Sequence, residues 1–142
     1  MKLTVAASVI TNTLSHVNDN DIERIYTGLV NAQLLCHNLA FHSGWWDNVD
    51  RTDNNVIGTK LCLIHSEVSE ALEGVRKDSM DSHLTDRKTL EVELADATIR
   101  IFDLAEALKL DLAGAIIEKL AYNQQRADHK RENRAAEGGK KL

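Results

Sequence analysis

Not one proline interrupts the 142 residues of this chain, and along most of its length apolar side chains recur three and four residues apart. Proline breaks helix interiors, and three-four spacing places side chains on one helical face, so the two features together dictate long amphipathic helices. Asn18, Asp19, Asn20 and Asp21 offer N-caps for a first helix that carries Ile22, Ile25, Tyr26, Leu29, Val30, Gln33, Leu34, His37 and Phe41. Ser43-Gly44 ends it. A second helix is expected from Asp53 to Lys77 on a stripe of Ile57, Leu61, Ile64, Val68, Ala71, Leu72 and Val75. After a polar connection from Asp78 to Thr85, a third should span Asp86 to Lys109 on Leu90, Leu94, Ala97, Ile101, Leu104 and Leu108. Asp111 caps a fourth, running from Leu112 to about Asp128.

Short connections between helices of this length predict an all-α fold, an antiparallel four-helix bundle. The stripes of helices three and four are wider than one small bundle covers, so the bundle should be completed by oligomerisation, as a dimer or a tetramer. Residues 1–20 read as an N-terminal arm, 21–129 as the helical domain, and 130–142, with Gly138-Gly139 and little apolar content, as a flexible tail.

Charge and cysteine usage narrow the partners. A net charge of −5, from 17 basic and 22 acidic residues, argues against coating a nucleic-acid polymer. Small anions can still be held through cations. Cys36 and Cys62 lie in apolar helical runs without metal-ligand spacing and read as buried free thiols in a reducing compartment. The opening MKLTVAASVITNTL is a poor signal peptide and too short to span a membrane, so the expected location is cytoplasmic, with no membrane partner.

Two acidic motifs give the chain its chemistry: Glu67-Val-Ser-Glu70 and Glu93-Leu-Ala-Asp96, separated by 22 residues. Positions three apart share a helix face, so each motif projects two carboxylates the same way, and antiparallel packing would bring four anions together. Such a cluster requires a cation, and hard oxygen donors suit Mg2+ or Mn2+. Local neutralisation is sparse: Ala71, Gly74 and Ala97 stand four after the glutamates, and only Arg100 stands four after Asp96. The bland alternative is two solvated helix faces.

The run Lys60-Leu-Cys-Leu-Ile-His-Ser-Glu67-Val-Ser-Glu70-Ala-Leu-Glu-Gly-Val-Arg76, with Glu93-Leu-Ala-Asp96-Ala-Thr-Ile-Arg100, resembles the MazG-like family of all-α nucleoside triphosphate pyrophosphohydrolases, in its phage and bacterial form. Lys119-Leu-Ala-Tyr-Asn123-Gln-Gln-Arg126 and the late Gly138-Gly139-Lys140-Lys141 resemble it more weakly. The resemblance covers roughly residues 22 to 126 and implies that the domain 21–129 hydrolyses a nucleoside triphosphate between its α- and β-phosphates. It also implies metal ligation by Glu67, Glu70, Glu93 and Asp96, with Mg2+ as cofactor. Glu67 or Glu70 would be the general base. A deoxynucleotide is the expected substrate, dGTP among the candidates, because such relatives serve DNA precursor pools.

Further residues have candidate roles beside that core. Lys119, Asn123 and Arg126 share one polar face of the fourth helix and could hold phosphate or sugar. His42, Trp45 and Trp46 lie where related enzymes place a histidine and base-contacting aromatics, although one of two adjacent tryptophans is usually core. Lys60 and Arg76 flank the first motif and could reach phosphate or pair on the surface. Cys36 with His37, and His65 with Ser66, point about 100° apart on a helix and make poor nucleophile-base pairs. A di-iron bundle is disfavoured because the chain has no Glu-x-x-His pair. A non-catalytic helical interaction module is the alternative function.

Overall fold

The computed structural model describes residues 18–138. They form five α-helices: α1 (Asp19–His42), α2 (Asn54–Lys77), α3 (Thr89–Ala107), α4 (Leu112–Gln125) and α5 (Arg131–Ala135), with a 3-10 turn at Ala127–His129. No strand occurs among the described residues, only an isolated bridge between Met80 and Lys88. None of their helices is long and apolar enough to cross a membrane. Most of the expected arm and the end of the expected tail lie outside the described residues. Within 130–138 the chain makes the exposed helix α5.

The caps explain where the helices begin and end. Asn18 Oδ1 accepts the Asp21 N–H at 3.0 Å, Asp53 Oδ1 that of Asn55 at 2.8 Å, and Asp111 Oδ1 that of Gly114 at 3.0 Å. Each satisfies a donor that the first helical turn leaves orphaned. Helix α3 starts three residues later than its sequence pattern because Arg87 and Lys88 are used in the connection. There Arg87 O accepts from Asp81 N, and Lys88 Nζ donates to Asp78 at 2.7 Å. The helix also stops early, at Ala107, and Lys109 then takes a left-handed φ of 56°.

The chain divides into two units, one made of residues 31–110 and the other of segments from 1–30 and 111–142. In the second, Ile22, Tyr26, Ala113, Ile117 and Ala121 form a buried core, with Leu29 and Val30 against it. In the first, Trp46, Leu104 and Ala107 are buried with Ala40, Val49, Ile64 and Leu108 around them.

Within residues 31–110, α2 and α3 form an antiparallel hairpin whose buried seam takes Ala71, Ala97 and Leu104 from the expected stripes and adds Glu67 and Gly74. The buried face of α2 carries Glu67, Ala71 and Gly74, and α3 answers with Ala97 and Leu104. Small residues let the backbones approach: a Cβ on Gly74 would stand 2.8 Å from Thr89 Cβ and 3.2 Å from the Leu90 nitrogen. The rest of the expected stripe faces outward on this chain, since Leu61, Val68, Leu72 and Val75 of α2 and Leu90, Leu94 and Ile101 of α3 are all exposed. The thiols also depart from expectation. Both are free, but Cys36 is half-buried and Cys62 is exposed.

Candidate metal centre and adjoining cleft

Glu67 stands seven positions before Gly74, where α2 touches the start of α3, so it lies two turns back along the seam, opposite the second acidic motif. Glu67, Glu93 and Asp96 each present a carboxylate oxygen, and the three oxygens lie within 4.8 Å of one another. They form a cluster that could hold a metal ion. Glu67 is buried, at 6% exposure, so its charge has lost most of its solvation. Glu70 sits one turn further along α2, is exposed, and stands outside that trio, although its charge acts on Glu93.

The electrostatics record the crowding. Desolvation raises the Glu93 carboxyl above its ordinary 4.5, helped by a hydrogen bond with Glu67 and by the charges of Glu70, Glu67 and Asp96. A carboxyl raised by burial and by neighbouring carboxylates signals anions short of cations. Arg100 supplies part of the balance. Local spacing pairs it with Asp96, but the fold carries its Nε to 2.8 Å from Glu67 Oε1 on the neighbouring helix. The covered Nε–H is not aligned on an acceptor, so the contact is one of opposite charges without a hydrogen bond.

Beside the cluster opens a cleft of about 240 Å³ lined by Ala40, Trp45, Lys60, Leu63, Asp96, Ile99, Arg100 and Asp103. Its mouth and walls come from the end of α1, the loop after it, and the facing turns of α2 and α3. Trp45 is 66% exposed and offers an open indole face, whereas Trp46 is 4% exposed and committed to the core. Lys60 Nζ stands 4.3 Å from the centre of the Trp46 ring and 6.0 Å from that of Trp45. The cleft therefore presents an apolar ring, two cations and the edge of the acidic cluster to one small volume.

Behind it lies a polar network that sequence reasoning missed. Trp46 Nε1 donates to Asp103 Oδ1 at 2.8 Å, and His37 Nδ1 donates to the same oxygen at 2.8 Å. One turn on, Glu106 accepts from Gln33 Nε2 at 2.9 Å and from Lys109 Nζ at 2.6 Å, and Gln33 also donates to Leu110 O at 3.1 Å. The Lys109 bond, outweighing burial, holds the Glu106 carboxyl below its ordinary 4.5. His37 and Asp103 are 66 residues apart. Their signal in the sequence is a polar residue set at core spacing on each helix: Gln33 and His37 on α1, Asp103 and Glu106 on α3.

The remaining sequence candidates fall elsewhere. His42 is exposed with its ring edge-on to Phe41, and it is not among the cleft-lining residues. Arg76 is exposed and pairs with Glu73 at 3.1 Å. Lys119, Asn123 and Arg126 belong to the other unit. There Lys119 Nζ stands 4.6 Å from the Tyr122 ring centre, Arg126 forks onto Asp128 at 2.9 and 2.7 Å, and Asn123 Oδ1 is buried without a partner. Compared with protein-family models, curated proteins and solved structures, the chain matches none.

Proposed function

We propose that the chain is a divalent-metal-dependent pyrophosphohydrolase that cleaves a nucleoside triphosphate between its α- and β-phosphates, in the manner of the MazG-like enzymes its acidic motifs resemble. One observation carries the reading: three carboxylates from two helices meet within 4.8 Å, with Glu93 retaining a proton beyond its ordinary range, beside a cleft that holds Lys60, Arg100 and an open tryptophan. The donor set fits a hard cation, because all three ligands are carboxylate oxygens and their mutual repulsion is relieved by positive charge.

Glu67, Glu93 and Asp96 would hold Mg2+, or Mn2+ in its place. The bound ion would supply charge neutralisation for the triphosphate and Lewis acidity at phosphorus. Lys60 and Arg100 face the cleft as phosphate clasps, and Trp45 offers its face to the base for a stacking gain of about 1–3 kcal/mol. Glu70, exposed beside the cluster, is free to take the proton of the attacking water. The bond between the α-phosphorus and the bridging oxygen breaks, leaving a monophosphate and pyrophosphate. A deoxynucleoside triphosphate of the cytoplasmic pool, dGTP among them, is the proposed substrate.

The outward stripe on α2 and α3 has the makings of an antiparallel four-helix bundle completed by a second copy, since apolar patches of this extent are rarely left in water. The same stripe favours the alternative, a helical interaction module without catalysis. Incubation with each nucleoside triphosphate and Mg2+ separates the two. The enzyme reading predicts pyrophosphate and monophosphate from at least one deoxynucleotide, with Glu67→Gln and Asp96→Asn each slowing release by about 100-fold or more at unchanged helical circular dichroism. No pyrophosphate from any common, deoxy or modified nucleotide would leave the interaction module.

A further inference from the structure

We propose that Arg100 is an exchangeable counter-cation: it neutralises Glu67 while no divalent ion is bound and, displaced by the ion, turns into the cleft to clasp the anionic substrate, so that metal binds before triphosphate. This rests on the metal reading above and adds to it an order of binding built from the chain's own side chain.

Three observations carry it. First, Arg100 sits one turn beyond Asp96 yet reaches across to Glu67, with Nε 2.8 Å from Oε1. A metal on Glu67 would bring a second positive centre within a few ångströms of that guanidinium, and two such charges disfavour one another at any interior dielectric. Second, the arginine is not locked: its covered Nε–H has no aligned acceptor, so releasing Glu67 breaks no hydrogen bond at that nitrogen. Third, it has somewhere to go. The Glu67 side chain is 8% exposed, whereas that of Arg100 is 41% exposed and lines the cleft with Lys60 and Trp45. A guanidinium freed there presents its planar fork to phosphate oxygens, beside the point charge of the lysine. Binding sites that exchange one cation for another are coupled, and the coupling works in both directions.

The test is a titration with Mn2+, followed by electron paramagnetic resonance, on the wild-type chain and Arg100→Gln. Loss of the internal competitor should tighten Mn2+ binding about fivefold or more. Inorganic tripolyphosphate should then bind the Mn2+-loaded variant roughly tenfold more weakly than the loaded wild type. Equal or weaker Mn2+ binding by the variant overturns the exchange while leaving the metal reading in place. No Mn2+ binding by either protein overturns both. Unchanged tripolyphosphate affinity overturns the clasp. A measurement on the unaltered chain guards against a variant that fails to fold: the Arg100 Nε–H resonance should move during a Mg2+ titration, and a fixed resonance at saturating bound Mg2+ contradicts release.

Discussion

Helix α3 carries two pairs of acids barely two turns apart, and they are treated in opposite ways. Glu93 and Asp96 stand against Glu67 with too few cations, and desolvation, helped by the neighbouring acids, pushes the Glu93 carboxyl up. Asp103 and Glu106 are buried, but each accepts two side-chain hydrogen bonds, and Lys109 draws the Glu106 carboxyl down. One backbone element thus separates acids that build the scaffold from acids that could hold a cation. Satisfied anions fix a structure, whereas undersatisfied ones lower its stability unless a bound cation restores the balance.

The contrast can be broken most forcefully at Asp103. Asp103→Ala strands the Trp46 indole N–H and the His37 ring in a dry interior and should destabilise the fold by about 3 kcal/mol in chemical denaturation. A loss well under about 1 kcal/mol would remove Asp103 from the scaffold class. Next in size is Gly74→Ala, which drives a methyl group to 2.8 Å from Thr89 Cβ and pries the α2–α3 seam apart. A cost of about 2 kcal/mol is expected, accompanied by weaker Mn2+ binding because Glu67 moves away from Glu93. Trp45→Ala should leave stability nearly unchanged and raise the KM for the triphosphate by about tenfold with kcat nearly intact, since the ring is largely exposed and, in the proposed reading, stacks on the base.

The smallest effect sharpens the contrast, because the two classes should respond to pH with opposite signs. Glu93 has a folded value above its ordinary 4.5, so its penalty is absent below 4.5 and appears as pH rises through the folded value. Metal-free Glu93→Gln should therefore melt slightly above the wild type near neutral pH, and the gain should vanish in acid. Glu106 has a folded value below 4.5, so its contribution is present above 4.5 and lost as pH falls through the folded value. Glu106→Gln should accordingly melt below the wild type near neutral pH, with the difference closing in acid. Melting curves across that range for both variants, in a chelating buffer, read the two signs directly; equal signs would dissolve the distinction.

What could be read from the residues and what could not divides along the same line between local and tertiary causes. Helix existence follows from spacing and caps, and Asp53 and Asp111 cap where the pattern puts them. The convergence of Glu67 with Glu93 and Asp96 was legible because both motifs obey the three-residue rule on consecutive helices. The direction each face would turn was not legible. Val68 is the natural core position if the stripe points inward, yet it is exposed while Glu67 beside it is buried. A periodic stripe says which residues share a face; it does not say whether that face meets the chain's own core or another surface. Arg100 teaches the same lesson, since the local four-residue rule pairs it with Asp96 and the packing of α2 on α3 gives it Glu67. The His37–Asp103 bond spans 66 residues, a separation at which no periodic rule operates.

The account stands on a divalent cation being held by Glu67, Glu93 and Asp96, and crystals soaked in Mn2+ and measured at the manganese absorption edge test that most directly. The anomalous difference map should place a peak between those three carboxylates, with Glu93 no longer bonded to Glu67 and Arg100 drawn back. A map without a peak there, with the Glu67–Glu93 hydrogen bond and the Arg100 contact intact at saturating Mn2+, would contradict it.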